Sequence, residues 1–106
     1  MLLGGLEILI AKALLGFAIG AAVVTVVAIS IAVIEGLFDK WRQKHVVNQD
    51  QQDQIGFLLN EGMDSGKYKR VQGVFNKRTK KVDDAWRIQS NQIDSDLKNE
   101  KVVIFD

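Results

Sequence analysis

The sequence predicts an α+β membrane-anchored protein, with one N-terminal transmembrane α-helix plus a small α-β-β-α-β cytoplasmic domain. Three observations predict it. Residues Ala13 to Ile34 run for 22 positions without a charge or a proline. Period-two alternation marks Tyr68–Phe75 and again Val82–Ile88. The charges are segregated: residues 67–81 hold seven cations and no anion, and residues 82–106 hold six anions and three cations.

The first observation decides the anchor. A helix of 22 residues reaches roughly 33 Å, close to the hydrocarbon thickness of a bilayer. The side-chain hydroxyls in it are Thr25 and Ser30, and each can bond back to a carbonyl one turn earlier. A buried helix in a core is the competing reading. It would need wrapping on every side by a chain of only 106 residues. A cleaved signal peptide is the other, but the first charge is Glu7 and the apolar core is too long.

The chain divides accordingly into an interfacial segment 1–12, a transmembrane helix 13–34, a juxtamembrane helix 35–48 and a soluble α+β domain 49–106. Lys12 can snorkel from the first boundary, with Glu7 in the wet zone. Within the span, Ala18, Ala21, Thr25, Ala28 and Ala32 recur at spacings of three and four, as a helical stripe of small residues. Gly16 and Gly20 add a GxxxG pair on another flank. Such stripes let helix backbones approach closely in lipid. Beyond the span, Lys40, Trp41, Arg42 and Lys44 suit a membrane interface, with Leu37, Phe38 and Trp41 at headgroup level. The cations there place the C-terminal side in the cytoplasm and the N-terminus outside.

The soluble part follows in order. The helix after the span extends to Val47, and Asn48 is an N-cap for an amphipathic helix Gln49–Glu61, with Ile55, Leu58 and Leu59 on its apolar face and Gly62 as its C-cap. Met63-Asp64-Ser65-Gly66 is turn chemistry. Tyr68–Phe75 and Val82–Ile88 form a hairpin joined through Asn76–Lys81, with Val71 and Phe75 facing Trp86 and Ile88 across one buried face. Ser90 caps a helix Asn91–Asn99. Val102–Phe105 is a third strand beside the hairpin. A domain of this size buries a thin core and calls for help from a membrane or a partner.

Chemistry is sparse. There is no cysteine and one histidine, His45, next to Lys44, which removes thiol catalysis and cysteine metal sites. Asp83-Asp84 and Asp94-x-Asp96 do not match a calcium loop. Gly62-x-x-x-Gly66-Lys67 is too short for a phosphate-binding loop and has no Ser or Thr after the lysine. The sequence predicts no catalytic residue, no metal and no cofactor.

The cations Lys67, Lys69, Arg70, Lys77, Arg78, Lys80 and Lys81 are the sharpest feature of the soluble part. They suit anionic headgroups, where each is worth about 1 kcal/mol, or an acidic partner. Nucleic acid is disfavoured, because Phe75 serves the core better than it serves base stacking. The expected function is that of a non-catalytic accessory, assembly or scaffold subunit. Its partners are the lipid bilayer and a membrane protein complex or further copies of itself, with anionic lipid as a further partner. The alternative is a membrane-tethered sensor whose domain binds a ligand and whose clustered helices form or gate a pore.

Overall fold

The apolar stretch Ala13–Ile34 is divided among three elements and the two connections between them. The computed structural model describes residues 3–44 and 53–105. The elements in chain order are α1 (Leu3–Leu15), β1 (Val23–Thr25), α2 (Ile31–Lys44), β2 (Gln54–Asp64), β3 (Lys67–Asn76), β4 (Lys81–Ser90), α3 (Ser95–Lys98) and β5 (Val102–Phe105). Among the described residues no helix is long and apolar enough to cross a membrane. The predicted transmembrane anchor is therefore corrected, and the N-out, C-in orientation drawn from it goes with it.

The physical reasons for the break lie within the stretch. α1 closes on tight bonds from the Gly16 amide to the Ala13 carbonyl, 3.2 Å, and from the Phe17 amide to the Leu14 carbonyl, 3.1 Å. Residues 23–27, Val-Val-Thr-Val-Val, are all β-branched and favour an extended chain. They supply β1, which runs parallel to β4 with Val23 opposite Arg87 and Thr25 opposite Gln89. Ser30 does not bond back along a helix. Its Oγ accepts the Val33 amide at 3.2 Å, so Ser30 is the N-cap of α2. Ile29 before the cap and Ile34 in the first turn are both fully buried in one cluster, the arrangement of a hydrophobic staple.

The sheet has five strands in the order β1-β4-β3-β2-β5. β2, β3 and β4 are antiparallel neighbours, and β5 pairs with β2. Helices cover both faces. α1 lies on one through Leu6, Ile10, Ala13 and Leu14, packed with Ile55, Phe57, Val71, Phe75, Val82 and Ala85. α2 lies on the other through Ile34 and Leu37, with Leu58, Ile88 and Val103 in the same cluster. The N-terminal residues thus provide the core that the strands lack, which is why a small mixed α/β domain replaces an anchored one.

Further corrections follow from the sheet. The predicted helix Gln49–Glu61 is β2 over its described part, because Ile55, Phe57 and Leu58 are buried between two helix-covered faces and a run apolar on both sides shows no alternation. Gly62 is in a strand bulge, not a helix cap: its φ is +86°, its amide meets Asn60 Oδ1 at 2.6 Å, and the register shifts between Asn60 and Met63. The turn after it centres on Ser65 and Gly66, both at positive φ, as a two-residue hairpin requires.

A second bulge between Val74 and Phe75 shifts β4 by one residue, so Phe75 meets Val82 while Trp86 and Ile88 turn to the α2 face. The expected shared face of Val71, Phe75, Trp86 and Ile88 is therefore two faces. α3 is a single turn and not Asn91–Asn99. Ser90 is a buried strand end whose Oγ donates to the Val27 carbonyl at 2.9 Å. β5 joins β2, not the hairpin's free edge. His45, Asn48 and the end of the juxtamembrane helix at Val47 lie outside the described residues.

Candidate anionic-surface contact face

The predicted site residues do not share one place. Gly16, Ala18, Gly20 and Ala21 lie in the connection after α1, Thr25 ends β1, Ala28 lies between β1 and α2, and Ala32 is in the first turn of α2. Their spacing of three and four therefore falls on no common helix. Thr25 accepts a hydrogen bond from Gln89 Nε2 at 3.1 Å.

The residues expected at a membrane interface split as well. Trp41 is directed to the sheet, where its indole N–H donates to Asp84 Oδ2 at 2.7 Å. Arg42 stacks over Phe38, with Cζ 4.3 Å from the ring centroid, and donates to the Gln54 carbonyl. Phe38 is buried against Phe105 and is not at headgroup level. Lys40 and Lys44 are exposed beside a cleft that Trp41 and Trp86 also line. Lys12 is in the last turn of α1.

The seven hairpin cations occupy two ends of β3, roughly 30 Å apart at the usual strand rise. Lys67 and Lys69 are at the first end, where Lys69 Nζ is 3.9 Å from Asp64. Arg70 is buried. The other end carries Lys77, Arg78, Lys80 and Lys81 on a turn organised by Asn76. Asn76 Oδ1 accepts the amides of Arg78 and Thr79 at 2.9 and 3.1 Å, and Lys80 takes a left-handed φ of +60°. That turn rests beside the end of α1. A cleft of about 350 Å³ there is lined by Lys12, Ala13, Gly16, Phe17, Lys80, Lys81 and Val82.

Electrostatically this cleft is one-sided. The nearby acids are engaged: Asp53 faces Arg78 at 3.4 Å, and Asp83 accepts from Gln54 at 2.8 Å and Asn76 at 3.4 Å. Among the described residues no carboxylate lies within ion-pair distance of Lys12, Lys80 or Lys81. The negative end of the α1 dipole offsets part of their charge.

Apolar groups flank the cations. α1 turns Ile8, Ala11, Lys12 and Leu15 outward at helical spacing, and Leu15 is 89 % exposed. Sequence reasoning missed Leu15 and Ile8 as site residues because both sat inside an apolar run. The signal available was the spacing Leu6, Ile10, Ala13, Leu14, which picks the sheet-facing side of α1 and leaves Ile8 and Leu15 opposite.

Asp83 and Asp84 diverge in their partners, and among the described residues no group of three or more His, Asp or Glu could hold a metal ion. Compared with protein-family models, with curated proteins and with solved structures, the chain matches none.

Proposed function

We propose that this protein is a non-catalytic docking module that rests on anionic membrane surfaces without crossing them. The observation that carries the reading is the cleft of Lys12, Lys80 and Lys81, free of carboxylates, beside an outward α1 side on which Leu15 stands exposed. A helix lying in the headgroup zone combines these same elements: an apolar side inserted shallowly and cations that meet anionic lipid. Lys12, between Ile8 and Leu15 on the outward side, is long enough to lift its ammonium to the phosphates.

Nucleic acid is less well served, since Phe75 is buried and Tyr68 lies at the far end of β3. The non-catalytic reading is supported by Asp83 and Asp84, which are spent on hydrogen bonds to Gln54, Asn76 and Trp41.

Flotation with mixed phosphatidylserine–phosphatidylcholine vesicles tests this. Binding is expected at low salt, fading at high salt and absent on phosphatidylcholine alone. Replacing Lys12, Lys80 and Lys81 together with alanine should weaken it by about a hundredfold, from about 1 kcal/mol per cation. Equal binding to neutral vesicles, no binding at all, or an unaffected triple variant would overturn the proposal.

A further inference from the structure

At the opposite end of the sheet from the lysine cleft, Arg70 presents an unusual charge. Its side chain is on the α2 face of β3 and the residue is 2 % exposed. Its guanidinium donates to three carbonyls: Nη1 to Gly62 at 3.1 Å and Lys69 at 2.8 Å, and Nη2 to Lys98 at 3.2 Å. Nε is buried and has no partner. A guanidinium carries five N–H donors, so Nε–H and one hydrogen of Nη2 are left over. Among the described residues no carboxylate is within ion-pair distance of it. Burial pushes its pKa below the ordinary arginine value, with Tyr68 acting in the opposite direction, yet arginine stays protonated in proteins.

A second cation converges on the same place. Lys98 Nζ lies 5.9 Å from the centroid of the Tyr68 ring, and Arg70 Cζ lies 5.8 Å from it. The two like charges beside one ring repel each other, and an anion placed between them would turn that repulsion into attraction. The bound carbonyls supply partial charge only. Arg70, Lys98 and Tyr68 line a cleft of about 190 Å³, together with Asn60 and Asn99. Sites for drug-sized ligands run to roughly 300–1,000 Å³, so the cleft suits an ion or a small head group.

We infer that Arg70 and Lys98 form a binding site for a small oxyanion of the phosphate class. Arg70 supplies a fixed positive charge and its remaining Nη2–H at the cleft wall, Lys98 supplies a mobile ammonium, and the Tyr68 hydroxyl or an asparagine amide completes the set. Charge-assisted donors of this kind are what arginine offers a phosphate. The site lies at the end of β3 away from Lys80 and Lys81, so it stands or fails independently of membrane docking.

The test is a titration of the full chain with sodium phosphate, followed by amide resonances and controlled with sodium chloride at matched ionic strength. Saturable shifts confined to Gly62, Arg70, Lys98 and Asn99 are expected. Lys98→Ala, at an exposed position, should bind about tenfold more weakly. Arg70→Lys keeps the charge, removes the fork and should also weaken binding. A parallel titration with glycerol phosphate separates the sources: saturation by both assigns a phosphomonoester head, and saturation by inorganic phosphate alone assigns the free ion. Shifts that do not saturate, shifts confined to Lys77–Lys81, or equal affinity in the Lys98 variant would overturn the assignment.

Discussion

Gly73→Ala is expected to cost about 3 kcal/mol or more, a large share of the roughly 5–15 kcal/mol by which a small domain is stable. Gly73 is on β3, the middle strand, opposite Ala85 of β4. A Cβ there would stand 2.5 Å from the Phe57 ring and 2.6 Å from the Asp84 carbonyl oxygen. The ring could swing, but the carbonyl belongs to the neighbouring strand and moves only if the ladder moves. Gly56 makes a useful comparison. Its Cβ would meet first the Phe105 ring, a side chain and not a backbone carbonyl, so Gly56→Ala should cost less, about 1–2 kcal/mol. Urea denaturation of the two variants checks the ranking. A Gly73 variant as stable as the wild type would mean that β3 and β4 do not approach as described.

Phe38→Ala has an expected effect of similar size, about 3–5 kcal/mol. Phe38 is 1 % exposed, its ring meets that of Phe105 edge-on at 5.4 Å between centroids, and Arg42 lies over it. Removing it opens a cavity between α2 and the sheet and takes the aromatic support from Arg42, whose Nε is already without a partner. A residue lodged at a headgroup boundary would instead leave denaturant stability unchanged on truncation. The variant therefore separates α2 as a covering layer of the sheet from α2 as a juxtamembrane segment, with thermal or urea unfolding as the readout.

The parts legible in the sequence were those whose two faces differ in side-chain chemistry, as in β3, where buried polar Arg70 and Gln72 alternate with buried apolar Val71 and Phe75. Lys69, Val71 and Phe75 alternate with Tyr68, Arg70 and Gln72 because strand side chains alternate between faces. Ser65-Gly66 announces its own turn, and the β-type run Val102–Phe105 announces a strand. The strand β2 was hidden because apolar Ile55, Phe57 and Leu58 fill both of its faces, which erases the period and leaves helix and strand indistinguishable. The stretch Ala13–Ile34 was misread for a related reason. Hydropathy registers that side chains avoid water but does not say whether lipid or the faces of a sheet receive them. The marks of the broken chain were present in Gly16, in the β-branched run Val23–Val27 and in Ser30, and the summed apolarity outweighed them.

Candidate sites were legible to a smaller degree. Lys80 and Lys81 stood out on a hairpin tip, but their approach to Lys12 depends on how α1 docks, which no local pattern records. Arg70 counted as one more surface cation. Its burial follows from the Gly62 bulge and the end of α3, each supplying a carbonyl to it, and both depend on pairings distant in sequence. The apolar side of α1 was equally out of reach, because Leu15 is exposed only if the chain turns at Gly16 and the helix stops.

The measurement that bears most directly on this reading is an oxidative crosslink between β1 and β4. Thr25 and Gln89 are register partners and their side chains are hydrogen-bonded, while the chain has no cysteine of its own. In the double variant Thr25→Cys, Gln89→Cys, mild oxidation is expected to give a rapid intramolecular disulfide, seen as a faster-migrating species that reverts on reduction. Absence of that species, or crosslinks only between chains, would contradict a β1 strand paired with β4.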